Sequence, residues 1–391
     1  MATTHDFLKR LDRKEQIDVA ILDFSKAFDV VPHQRLLRKL RMYGLEGKCL
    51  SWISDFLENR TQSVLVEGVR SHSGSRTAGD VVLSGVPQGT VMGPLLFLLF
   101  INDMPSVLDP STGCRLFADD CLIYRSIRQP NDQVTFQNDL NALHSWGETW
   151  GLRFNAAKCN IMHLDRSKTK PVRFYTLGGV TLLSVNEAKY LGVTLSNNFG
   201  SRSSQWKAHI ADTSSKANQR LGFLRRNLKG SPYKLRELGY LALVRSSLEY
   251  CGAIWDPTVK AEAEQLEVVQ RRAARWARGA HGIISVTALL ADLKWLDLAD
   301  RRKNQRLCMF YKVLNGELDI SPDSIDLKPA SSTSTRRSHK WKLERVAGKD
   351  NHSPLWKGTI ARTIPEWNNL QVSIVSADSV STFKSRLSAV P

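Results

Sequence analysis

The stretch "CRLFADDCLIY", Cys114 to Tyr124, sets two adjacent aspartates between two short apolar runs. No other feature constrains the fold of this chain as tightly. "RLF" and "CLIY" read as the two strands of a hairpin with "ADD" at or near its tip. Asp is a common turn residue, and most such pairs only shape a turn. Here the flanking strands hold Asp119 and Asp120 against one another, and like charges at contact distance are costly unless a cation neutralises them. A third acid, Asp23, lies near the end of the aliphatic run "IDVAILDF". That run reads as a buried strand, and an acid inside it is expensive without a partner. With the Asp23 strand beside the hairpin, three carboxylates converge on a site for hard divalent cations, which prefer oxygen ligands. Two such ions, about 3.5–4 Å apart, suit an in-line phosphoryl displacement, so nucleotidyl transfer is the leading chemistry.

The chain has 391 residues, 42% of them hydrophobic, enough to bury a sizeable core and to form two or three domains. Its net charge of +17 is unevenly spread: residues 1–199 hold 23 Lys/Arg against 20 Asp/Glu, residues 200–391 hold 32 against 18. A surplus concentrated in one half points to a polyanionic partner, with a solvated surface as the plainer reading. The six cysteines are scattered without CxxC or Cys/His metal spacing, which reads as reduced thiols of an intracellular protein, nuclear or cytoplasmic. The N-terminus lacks the apolar core of a signal peptide. The longest apolar run, "VMGPLLFLLFI", is far short of the ~20 residues of a membrane span and is expected to form a buried helix.

Along the chain, "THDFLKRLDRKEQ" has helical spacing of Phe7, Leu8 and Leu11. "SVLVEGV" reads as a strand before a polar loop from Arg70 to Asp80. "NDQVTFQNDLNALHSWGETWG" places Phe136, Leu140, Leu143 and Trp150 on one helix face, stopped by Gly151. "LRF" and "CNIMHL" are expected to pair as a hairpin around "NAAK", and "AKYLGVTL" adds a strand. Beyond Phe199 long amphipathic helices dominate. In "EQLEVVQRRAARWARGA", Arg271, Arg275 and Arg278 line one face at i, i+4 and i+7, a stripe that suits a phosphate backbone or plain solvent. Residues 328–340 are Ser/Thr-rich and basic, hence a linker.

Five segments, "AILDFSKAFDVVPHQRLLRKL", "LSGVPQGTVMGPLLFLLFIND", "LFADDCLIY", "GLRFNAAKCNIMHL" and "AKYLGVTL", stand in the order and approximate spacing of the palm motifs of reverse transcriptases. In them the chain resembles the reverse transcriptases of non-LTR (LINE-type, Jockey-like) retrotransposons, and "LEYCGAIWDP" and "TIPEWNNL" extend the likeness towards the C-terminus. The resemblance implies an α+β chain. A right-hand polymerase palm with a small antiparallel sheet would span residues 1–199, a helical basic thumb 200–327, and a C-terminal segment 328–391. It implies RNA-directed DNA synthesis with two Mg2+ ions, an RNA template, a DNA primer and deoxynucleoside triphosphates. Asp23, Asp119 and Asp120 are the implied metal ligands, with the carbonyl of Phe24 as a possible addition.

Phe28 matches the aromatic that blocks a ribose 2'-OH, although by residue type it is equally a core aromatic at a helix start. Gln88 and Gly89 match residues lying against the incoming nucleotide and template, where a glycine lets the backbone approach a ligand. Lys158 matches a lysine that serves the leaving pyrophosphate, a role that suits an ammonium; a solvated hairpin lysine is the plainer reading. Tyr190, Leu191 and Gly192 match the turn that grips the primer. Only 22 residues precede Asp23, so the fingers that clamp the triphosphate in this family are expected to be absent. An alternative reading is therefore an inactive retroelement remnant that only binds nucleic acid. An RNA-dependent RNA polymerase, which shares paired aspartates, is disfavoured by Phe28.

Overall fold

The aliphatic run "IDVAIL" forms β1, Gln16–Leu22, in which Ile17, Asp18, Val19, Ala20 and Leu22 are buried. Our computed structural model describes residues 1–67, 69–70, 80–166, 173–200, 205–280, 284–330, 341–346, 348 and 353–388. β1 is the middle strand of a five-stranded sheet with β2 (Gly113–Phe117), β3 (Asp120–Ile127), β4 (Asn160–Leu164) and β5 (Leu183–Ser184), in the order β5-β4-β1-β3-β2. The sheet is mixed rather than antiparallel. β2 and β3 pair antiparallel, whereas β5 joins β4 parallel, Leu183 opposite Asn160 and Ser184 opposite Ile161. The short hairpin of Thr176–Leu177 and Val180–Thr181 lies between β4 and β5 in the chain. Its extra reversal brings the chain back in the direction of β4.

One sheet face is covered by the helices His33–Met42, Met92–Ile101 and Pro130–Trp150. Ala20, Leu22, Cys121 and Ile123 meet Leu36, Phe97 and Leu140 in a common core. Helix Pro130–Trp150 begins with proline at its first position and a reciprocal Gln129/Asp132 cap, and Gly151 ends it at φ +78°. Lys39 pins two of these helices together. It is 1% exposed, donates to the Phe100 carbonyl at 2.6 Å and to Asp103, and lies over the Trp150 ring at 4.0 Å. The apolar helix is only half-buried: Leu96, Phe97 and Phe100 are inside, while Leu95 and Leu98 are 48% and 49% exposed. "SVLVEGV" yields two-residue strands, Leu65–Val66 and Val69–Arg70. The loop residues 71–79 that follow lie outside the described residues. Among the described residues no helix is long and apolar enough to cross a membrane.

The chain divides into two units: a sheet unit of Ile17–His163 with the stretch ending at Leu191, and a helical unit of Met1–Gln16 with Gly192 onward. In the helical unit, helices Lys207–Asn227, Lys260–Arg278 and Leu298–Leu314 supply most of the length. Asp256 anchors its interior, accepting from Arg302 Nε at 2.7 Å, from Arg362 Nη2 at 2.9 Å and from Arg306. Arg306 also donates to Glu366 at 2.6 Å, so helix Thr359–Asn368 is tied to Leu298–Leu314. Of the expected linker, residues 331–340 lie outside the described residues.

Candidate active site

The "ADD" hairpin forms with Phe117 opposite Asp120, which leaves Ala118 and Asp119 as a two-residue turn. Ala118 takes φ +50°, a conformation that a residue with a Cβ adopts at a cost of about 1–2 kcal/mol and that matches the twist of a tight hairpin. Asp119 thus stands in the turn and Asp120 opens β3. Side chains alternate across a strand. Cys121 and Ile123 belong to the core under the helices, so Asp120 projects from the other face. The same parity holds on the neighbouring strand: Leu22 and Phe24 turn to the core, and Asp23 turns away from it.

Asp23 is held by its backbone. Its N–H donates to Cys159 Sγ at 3.3 Å and its carbonyl accepts from Asn155 N at 2.8 Å. Next to it Phe24 bridges Phe154, their rings stacked at 4.3 Å, and Ser25 N donates to the Arg153 carbonyl. "LRF" therefore pairs with residues 23–25 rather than folding back on "CNIMHL". The turn after it delivers Lys158, whose Nζ lies 3.6 Å from Asp23 Oδ2. That oxygen is buried and accepts no hydrogen bond.

Burial pushes the Asp120 carboxyl above its ordinary pKa, and the charges of Asp119 and Asp23 push it the same way. Asp120 thus feels the negative charge of both other acids. Among the described residues, though, no three acidic, imidazole or thiol side chains are gathered into a finished metal cage. An unsatisfied buried carboxylate oxygen beside two repelling carboxylates fits hard divalent cations, which take oxygen ligands.

The remaining expected residues fall into two groups. In the sheet unit, Phe28 on the short helix Ala27–Val30 stacks on Phe97 at 4.3 Å. Gln88 and Gly89 are exposed, and Gln88 Nε2 donates to Asp29 at 2.8 Å. Gly89 has φ +75° with no atom within 4 Å of an added Cβ, so backbone conformation, not crowding, calls for glycine there. Tyr190 Oη reaches the Arg115 carbonyl at 3.3 Å, and burial, Cys121 and Asp120 raise its pKa. Leu191 and Gly192 follow with φ +48° and +78°, a sharp bend at the end of the sheet unit. In the helical unit the arginine stripe is partly spent: Arg271 pairs with Glu264, and Arg278 pairs with Asp292 at 2.7 Å and lies over Tyr233. Arg275 is exposed. Sequence reasoning missed Asp29, Asn155 and Cys159, whose roles depend on pairing between distant segments and leave no local pattern.

Residues 2–195 match the reverse transcriptase (RNA-dependent DNA polymerase) family. They belong to it. Relatives agree in kind. The RNA-directed DNA polymerase from mobile element jockey of Drosophila melanogaster is 25% identical over 86% of this chain and 36% of its own length. The probable RNA-directed DNA polymerases from transposon X-element and transposon BS of the same species are 28% and 29% identical, covering 75% and 74% of this chain and 32% of each relative. The chain therefore spans about a third of the length of these non-LTR retrotransposon relatives. Among solved structures, apo telomerase from Candida tropicalis aligns with a TM-score of 0.42 at 11% identity, over 83% of this chain and 54% of that one. A likeness that loose does not fix a fold.

Proposed function

We propose that the chain adds deoxynucleotides to a primer 3'-OH on an RNA template, with the sheet unit as palm and the basic helical segment as thumb. The observation that carries this reading is the buried, unsatisfied Asp23 Oδ2 beside the repelling pair Asp119 and Asp120. These carboxylates, with the Phe24 carbonyl, would hold two Mg2+ ions. When bound, such a pair stabilises the attacking and leaving oxygens of an in-line displacement.

The protein groups do the rest by position, which dominates phosphoryl transfer. Phe28, fixed against Phe97, blocks a ribose 2'-OH. Gln88 and Gly89 present an open strip of polar edge and backbone to the nucleotide. Lys158 is 70% exposed and 3.6 Å from Asp23, free to turn from that carboxylate to the departing pyrophosphate and give it a proton. The Tyr190–Gly192 bend holds the primer strand, and Arg275 with its neighbours meets phosphates.

The test is primer extension on an RNA template with Mg2+. Asp119→Ala should lower incorporation by about 10^2–10^3-fold or more, the loss that follows removal of one charge-stabilising group. Equal incorporation by variant and wild type would sink the reading.

A further inference from the structure

We propose that Asp29 is a positioning residue that fixes the orientation of the Gln88 side-chain amide for the incoming nucleotide. The inference rests on the reading of Gln88 given above. Two segments distant in sequence are locked together here by their backbones. Val86 N donates to the Phe28 carbonyl and Gly85 N to the Val31 carbonyl, both at 2.8 Å, and Pro32 bridges Ser84. Ser84 Oγ donates to the Asp29 carbonyl at 3.0 Å, and His33 Nε2 lies 2.8 Å from the Gly85 carbonyl. The approach is so close that a Cβ on Gly85, at φ +93°, would lie 2.7 Å from the Asp29 carbonyl oxygen.

This frame fixes where Gln88 begins but not which way its amide faces. Gln88 is exposed, and a free glutamine amide can present its oxygen or its nitrogen to either side. Asp29 removes that choice. An ionised carboxylate only accepts hydrogen bonds, so Nε2, at 2.8 Å, must face it and Oε1 must face away. A charged acceptor also makes this bond stronger than a neutral one. Asp29 directly follows Phe28, so a single four-residue helix, Ala27–Val30, both seats the ribose gate and aims the amide. The outward oxygen and the second N–H then have one fixed direction, a pre-organised edge for a nucleotide.

Steady-state incorporation of a single dNTP by the full chain, on an RNA template with a DNA primer and Mg2+, tests this. Asp29→Ala should raise the dNTP KM by about 3–10-fold, the size of one net hydrogen bond, with kcat changed less than about twofold and the melting temperature unmoved. Asp29→Asn retains an acceptor and should keep KM within about twofold of wild type. Gln88→Glu sets two carboxylates against each other and should raise KM further. Adding Asp29→Asn to it restores a donor–acceptor pair and should recover part of that loss. An unchanged KM in Asp29→Ala, or a double variant no better than Gln88→Glu alone, would overturn the role while leaving the polymerase reading intact. Absence of incorporation by the wild type would remove both.

Discussion

Strand β1 and the residue just past its end carry two aspartates five positions apart with opposite fates. Asp18 is fully buried and saturated: it accepts from His163 Nδ1 at 2.7 Å, from Arg173 Nε and Nη2 at 2.7 Å each, and from Tyr175 Oη at 2.5 Å. Asp23 has a buried oxygen with no hydrogen bond, and its only ion-pair partner among the described residues is a mostly exposed lysine at 3.6 Å. Parity puts Asp18 on the helix-covered face with Ala20 and Leu22, and Asp23 on the other. A buried acid is thus not in itself a site. Satisfied, it is part of the core; unsatisfied beside other acids, it is a place for something to bind.

The sharpest way to break this contrast is to remove each carboxylate. Asp18→Ala strands a buried guanidinium, an imidazole and a phenol, and should cost about 3–5 kcal/mol in urea unfolding at neutral pH. Asp23→Ala relieves repulsion and should cost under about 0.5 kcal/mol. Equal losses would show that the two acids do the same work. Their pH behaviour sharpens the test. Burial alone would raise the Asp18 pKa, but the hydrogen bonds from His163 and Arg173 outweigh it and hold the carboxyl below its ordinary 3.8. A depressed carboxyl contributes stability that is fully present above its unfolded pKa and is lost as pH falls through the folded one. The gap between wild type and Asp18→Ala should therefore narrow below pH about 3.8.

The helical unit repeats the saturated pattern at Asp256. Asp256→Ala should cost about 3 kcal/mol, at the lower edge of the range for breaking a buried pair. The loss is smaller than at Asp18 because Arg306 keeps Glu366 and the Arg362 side chain is 26% exposed. A fluorescence-monitored denaturation curve of the two variants side by side would give the order, and a larger loss at Asp256 would reverse it.

Much of the site could be read from residue order because it depends on local pattern. "IDVAILDF" and "CRLFADDCLIY" announce strands by composition, and strand parity then places Asp23 and Asp120 on one face. The Gly151 stop and the helix before it follow from cap chemistry and spacing. What escaped was set by pairing between remote segments. "LRF" joins residues 23–25 instead of "CNIMHL" because Phe154 finds Phe24 across the core. β5 runs parallel to β4 because a small hairpin adds a reversal that no hydrophobic period records. Asp29 looks like a helix-start acid until Gln88, fifty-nine positions on, is brought against it. Likewise Asp18 and Asp23 sit in one apolar run, and only partners supplied from far along the chain, His163, Arg173 and Tyr175, tell them apart.

The smallest change in stability is expected at Lys158, and it separates the two meanings of a contact. Its ammonium lies 3.6 Å from Asp23 but the side chain is 70% exposed, so the ion pair is screened by water and contributes about 0–0.5 kcal/mol. Lys158→Met should leave the denaturation midpoint within error. If the lysine serves only Asp23, primer extension should be equally unmoved. If it turns to the leaving pyrophosphate as proposed, incorporation should fall by about 10^2-fold, the lower range for loss of a general acid. That loss should grow no larger when Asp23 is already Ala, because the chemistry it assists is then gone. A rate loss without a stability loss would place Lys158 with Asp23 and Asp120 as part of the site. The reverse would return it, and the contact with Asp23, to the ordinary surface.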